Sequence, residues 1–185
     1  MTVSLTSDFG TFPAHTGCKD TENTALLGGD ILIKTQEHTA WGGAVTASMY
    51  LPLSPAEVWQ QVTDYPRWVQ YFPDLTQSRV LDSNQNTKRI YQVASKTFLF
   101  LSVQVEVYLK VLELPYRQIQ FRLEKGNFLD FEATLKLQDY GKGTALTYCV
   151  KATPTIPVPS VFIQQAMHMD LPANMRQMRR VICGG

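Results

Sequence analysis

From Leu99 to Val111 the chain alternates without a break. Leu99, Leu101, Val103, Val105, Val107, Leu109 and Val111 occupy every second position, with Ser102, Gln104, Glu106, Tyr108 and Lys110 among the residues between them. Successive side chains of a strand point to opposite faces, so the pattern predicts a long strand with one dry face and one largely wet face. Ile119, Phe121 and Leu123 repeat it, as do Leu129, Phe131, Ala133, Leu135 and Leu137, and Leu146, Tyr148 and Val150 predict a last strand. Short turn signals separate these runs: Ser83-Asn84-Gln85-Asn86, Leu114-Pro115, Lys125-Gly126-Asn127 and Gly141-Lys142-Gly143. Links this short join antiparallel neighbours, because a parallel pair needs a long crossover. The expectation is a meander with one continuous apolar face.

That face needs a cover, and the one long element left runs from about Pro159 to Ile182. Two apolar arcs follow helical spacing there: Val158, Phe162, Ala166, Met169 and Ala173 form one, and Ile163, Met167, Leu171, Met178 and Val181 the other. Pro172 lacks the N–H that would bond to the His168 carbonyl, which predicts a bend.

Upstream, residues 1–30 are rich in Thr, Ser, Gly and Asn, with apolar residues too scattered to form a face, and read as a flexible tail before a single domain over 31–185. Ile31 to Ile33 is a short apolar run, Trp41-Gly42-Gly43 a turn, and Ala44 to Leu51 the first main strand. Ser54-Pro55-Ala56-Glu57 is a compact helix start, with Ser54 as N-cap, Pro55 in the first helical position and Glu57 reaching back. Asp64-Tyr65-Pro66 stops that helix, and Arg67 to Tyr71 makes another short turn before Pro73.

With 185 residues, 44% of them apolar, the chain can build a sizeable core. Lys and Arg number 17 against 16 Asp and Glu, so net charge gives no pull toward nucleic acid. Cys18, Cys149 and Cys183 are widely spaced and form no metal-ligand or redox pair, which fits a reducing, cytoplasmic compartment. The start of the chain lacks a signal-peptide pattern, and no run approaches the roughly eighteen apolar residues of a membrane span, so a soluble protein is expected. Transient contact with a membrane surface stays open, and the sequence carries no signature of oligomeric state. No phosphate-binding glycine loop, metal cluster or nucleophile motif is present, and neither metal nor cofactor is expected.

The order strand, two short helices, meander and long terminal helix resembles the START-like (SRPBCC) superfamily in its polyketide cyclase/dehydrase and coenzyme Q-binding branch. Leu53-Ser54-Pro55-Ala56-Glu57-Val58-Trp59, Asp64-Tyr65-Pro66 and Tyr71-Phe72-Pro73-Asp74 carry the resemblance. Gly126-Asn127-Phe128, Gly143-Thr144-Ala145-Leu146-Thr147-Tyr148 and the Val158-Pro159 start of the last helix look like later landmarks. The resemblance implies an α+β helix-grip fold, with a curved antiparallel sheet of six or seven strands wrapped around the C-terminal helix and two short helices after the first strand. It also implies a deep cavity between sheet and helix, used by members for lipids, quinones, sterols, hormones or polyketides. A filled core without a cavity is the competing reading.

On this basis Val103, Val105, Val107, Phe121, Phe131, Leu135 and Tyr148 from the strands, with Phe162, Ala166, Met169 and Ala173 from the helix, are the expected cavity walls. Tyr148, Tyr50, Tyr91, Gln92 and His168 are candidate polar handles, and Trp68 and Phe72 a candidate mouth or lipid-touching lip. The inward faces from Leu99 to Val111 and from Leu129 to Leu137 are apolar throughout, while Glu106, Asp130 and Glu132 fall on the opposite face. Acid/base catalysis needs a titratable group within reach of the substrate, so binding or carriage of an apolar molecule, such as a lipid, a quinone or other isoprenoid, or a polyketide-like compound, is the leading expectation and no catalytic residue is nominated. An aromatase/cyclase-type enzyme and a membrane-surface or protein-interaction module are the alternatives.

Overall fold

The computed structural model describes residues 16–98 and 101–184, with side chains over 21–95, 104–159 and 162–184. The order is α1 (Thr16–Gly28), β1 (Leu32–Glu37), β2 (Gly43–Leu51), α2 (Pro55–Val62), a 3-10 turn (Tyr65–Arg67), α3 (Trp68–Tyr71) and β3 (Leu75–Asn84). Then come β4 (Thr87–Phe98), β5 (Leu101–Leu114), β6 (Gln118–Gly126), β7 (Phe128–Tyr140) and β8 (Gly143–Pro154), followed by α4 (Ser160–Gln165), a wide π turn (Ala166–Asp170) and α5 (Leu171–Cys183). Eight strands form one antiparallel sheet in the order β1-β2-β8-β7-β6-β5-β4-β3. This is the helix-grip architecture the sequence predicts, with one strand more than the upper expectation. The addition is β1, too polar beyond Ile33 to read as a strand; it hydrogen-bonds along β2 while Lys34 to Glu37 stay exposed.

The segment read as a tail contains α1. Leu26 is buried, Arg179 Nη1 donates to the Gly29 carbonyl at 2.9 Å and Tyr140 Oη donates to Asn23 Oδ1, so tertiary contacts hold a helix whose own apolar pattern is weak. Helix α2 starts as its sequence dictates. Ser54 Oγ accepts from the Glu57 amide at 3.3 Å, Glu57 Oε2 accepts from the Ser54 amide at 2.8 Å, and Pro55 fills the first turn. Its inner residues Val58 and Val62 are fully buried.

The C-terminal helix lies along the inner face and approaches β2 so closely at Gly43 that a Cβ there would meet Met167 Sδ at 2.9 Å. Its buried side is Met167, Leu171, Met175, Met178 and Ile182, largely the second apolar arc. The irregularity expected at Pro172 is the π turn just before it, in which the Leu171 amide bonds to the Ala166 carbonyl. Pro172 then opens α5 in its first turn, where no N–H is needed. Among the described residues no helix is long and apolar enough to cross a membrane.

Candidate functional site

The inner face of the sheet is filled unevenly. Toward the β5–β6 turn, Ile90, Leu109, Val111, Ile119, Phe121 and Leu135 pack solidly against Tyr65 and Trp68. Toward the other end of the same strands the rungs carry shorter side chains: Leu75 pairs with Ala94, Ala94 with Val105 and Gln92 with Val107. There the side chains leave a cavity of about 230 Å³. Trp68 and Phe72 of the α3 segment, Phe128 and Phe131 of β7, Tyr148 of β8 and Asn174 of α5 line its other sides and leave it partly open, with Asp74 among its walls.

Aromatic rings set the shape. Trp68 stacks on Phe72 with centroids 5.5 Å apart, Tyr148 meets both at 6.2 and 6.1 Å, and Phe128 leans on Phe131 at 5.6 Å. Trp68 is anchored by its indole N–H, which donates to the Val62 carbonyl at 2.9 Å. Gln92 is oriented by Ser78: its Nε2 donates to Ser78 Oγ at 3.1 Å, and that hydroxyl donates to the Tyr65 carbonyl at 2.7 Å. Tyr148 differs. It is 8% exposed, and no described residue hydrogen-bonds its hydroxyl. Since no buried side-chain polar atom among the described residues lacks a partner, that oxygen must open onto the cavity. Burial, helped by the adjacent Cys149, holds its pKa well above the ordinary phenol value, so the group stays a neutral donor.

Of the residues nominated from the sequence, Val105, Val107, Phe131, Tyr148, Gln92, Trp68 and Phe72 line this cavity. Phe121 and Leu135 are buried in the solid part of the core, and Phe162 is half-buried away from the cavity. The side chain of Val103 lies outside the described residues, as does Leu99. Several expectations are corrected. Ala166, His168 and Ala173 are exposed and Met169 is 67% exposed, because the helix turns its other arc inward. Tyr50 packs its ring on Tyr140 at 6.3 Å on the outer face. Tyr91 is also outside, donating to Glu106 Oε2 at 2.8 Å beside Tyr108. Trp68 is only 3% exposed, so it is an inner wall and no solvent-facing lip.

Phe128 is a lining residue the periodicity hides. A register shift between Phe128 and Asp130 turns Phe128 inward and leaves Leu129, nominally on the inner face, 60% exposed. Ala94 and Asn174 carry no sequence signal beyond their small or polar character. Glu113, two positions beyond Val111 in the same alternation, is a buried carboxylate on the inner face that the apolar reading stopped short of. A larger groove of about 690 Å³ lies between the β1–β2 turn and the start of the C-terminal helix; it is about as open as the first and has a more polar lining, with Glu37, His38, Thr39 and Gln164 among its residues. No group of three His, Cys, Asp or Glu among the described residues is arranged to hold a metal.

An antiparallel sheet gripping a C-terminal helix defines a helix-grip protein. Over residues 51–179, well over half of its length, the sequence matches the family described as polyketide cyclase/dehydrase and lipid transport, and the chain belongs to that family. Solved structures share the fold. The protein TTHA0849 from Thermus thermophilus superposes with a TM-score of 0.68 at 18% identity, covering 76% of this chain and 97% of its own. A STAR-related lipid transfer protein from Xanthomonas axonopodis gives 0.60 at 13% identity, covering 81% and 98%. The ZhuI aromatase/cyclase from Streptomyces sp. R1128 gives 0.59 at 12% identity, covering 77% and 92%. A search of curated proteins finds no match.

Proposed function

We propose that this protein binds or carries an apolar small molecule in the cavity between its sheet and C-terminal helix. The observation that carries the reading is a hollow with mainly aromatic and aliphatic walls in an otherwise tightly filled core. Burying hydrocarbon there is favourable by about 0.8 kcal/mol for each methylene removed from water, before the costs of association. The lipid-transport part of the family description and the likeness to the Xanthomonas lipid transfer protein support it. The finer ligand reading, a quinone or other isoprenoid as in the coenzyme Q-binding branch, rests on the sequence resemblance. Native mass spectrometry and organic extraction of freshly purified protein test the proposal. A stoichiometric apolar compound is expected; protein that is repeatedly empty and also binds no apolar probe ends it.

A second reading, an aromatase/cyclase acting on a polyketide-like substrate, is favoured by one observation: Asp74 puts a carboxyl-bearing residue in the wall of a cavity that also holds a neutral phenol. General acid/base work needs such a group within hydrogen-bonding reach. It predicts turnover of a polyketide-like substrate that collapses in Asp74→Asn while ligand binding persists. Binding without turnover in the unaltered protein leaves only the carrier reading.

A further inference from the structure

Resting on the carrier reading, we infer that the buried part of the ligand is a compact, flat ring system bearing a carbonyl oxygen, which accepts a hydrogen bond from the Tyr148 hydroxyl. Three observations converge on this chemistry. The first is size. At about 30 Å³ for each water-sized group in a liquid, 230 Å³ holds roughly eight such groups, somewhat more when they are bonded into fused rings. Two fused rings fit; a long acyl or polyprenyl chain does not, and any such tail must leave the cavity.

The second is shape. Trp68, Phe72 and Tyr148 form one cluster of rings and Phe128 with Phe131 a second, so the space between is bounded by flat faces and edges. Planar ligands meet such walls in the offset and edge-on arrangements that aromatic rings prefer.

The third is polarity. Tyr148 lines the cavity with a hydroxyl that has no partner among the described residues, whereas the buried polar side-chain atoms there are satisfied. Its proton is held firmly, so it offers a donor, and a carbonyl accepts that proton without needing a bond in return. Gln92, its amide fixed by Ser78, adds a second polar edge. No Lys, Arg or His is among the described lining residues. A ligand carboxylate would find no counter-charge among them, so a fatty acid headgroup is disfavoured.

The test compares three probes by calorimetric titration: 1-tetralone, its hydrocarbon skeleton tetralin, and oleate. In the unaltered protein tetralone and tetralin bind. Tyr148→Phe removes only the hydroxyl; it weakens tetralone about tenfold, leaves tetralin within about twofold, and keeps the thermal midpoint. Equal effects of the substitution on both ring probes, or oleate binding more tightly than tetralone, overturn this inference and leave the carrier reading standing. Failure of all three probes to bind overturns both.

Discussion

Tyr65 is wholly buried, and its hydroxyl donates to Glu113 Oε1 at 2.6 Å, while Lys88 Nζ donates to Glu113 Oε2 at 3.2 Å. A buried carboxylate persists only when such partners replace water. Burial and the Glu113 hydrogen bond push the Tyr65 pKa far above the phenol range, so the donor is permanent. Tyr65→Phe should therefore lower stability by about 1.5–3 kcal/mol, the range for a hydrogen bond to a charged group, read as a drop in urea midpoint with an unchanged slope. This explains Asp64-Tyr65-Pro66 physically: the turn aims a phenol at a charge on β5. A second carboxylate, Asp130, bridges the β1–β2 turn to β7 by accepting from His38 Nε2 at 2.8 Å. Burial alone would raise its pKa, but hydrogen bonds from Thr153 and His38 outweigh it and hold the pKa below the usual value. A depressed folded-state pKa contributes stability that is present above the unfolded value, about 3.9, and fades as pH falls through the folded one. Asp130→Asn should thus be slightly destabilising at pH 7, with the difference from the parent vanishing in thermal melts below about pH 3. The effect is small because the carboxylate is 44% exposed.

The elements differ in how far their sequences announce them. Strand β5 follows its alternation from Gln104 to Leu114 and β6 from Gln118 to Leu123, and the Ser54 to Glu57 capping box marks the start of α2 to the residue. What the pattern does not carry is a change of phase. The shift at Phe128/Asp130 and the π turn at Ala166–Asp170 each alter which residues face inward without altering composition, so periodicity hides Phe128 and puts Met169 on the wrong side. Both arcs of the terminal helix are visible in the sequence, and only packing against β2 and α3 chooses between them. Paired substitutions measure that choice. Met175→Ala removes a fully buried side chain and should cost about 2–5 kcal/mol; Met169→Ala should stay within about 0.5 kcal/mol, both by chemical denaturation.

At the scale of the molecule, the architecture is legible because antiparallel pairing follows from short turns, and an apolar face demands a cover. The cavity is legible only as a family expectation, since its existence depends on short side chains at Ala94, Val105 and Val107 falling on neighbouring rungs. Ala94→Leu should partly fill that space. We expect stability to be unchanged or raised by about 0.5–2 kcal/mol in thermal melts while tetralone binding falls at least tenfold, which separates ligand capacity from fold integrity.

The strand order has a kinetic side. Strand β2 hydrogen-bonds to β8, so Gly43 through Leu51 must wait until the chain has travelled the whole meander and returned with Thr144 through Ala152. Closing so large a loop is entropically slow, whereas β1 and β2 face each other across a short turn and can pair locally. Until that closure the apolar side of a half-finished sheet faces water, and the helix that follows β8 is what seals it.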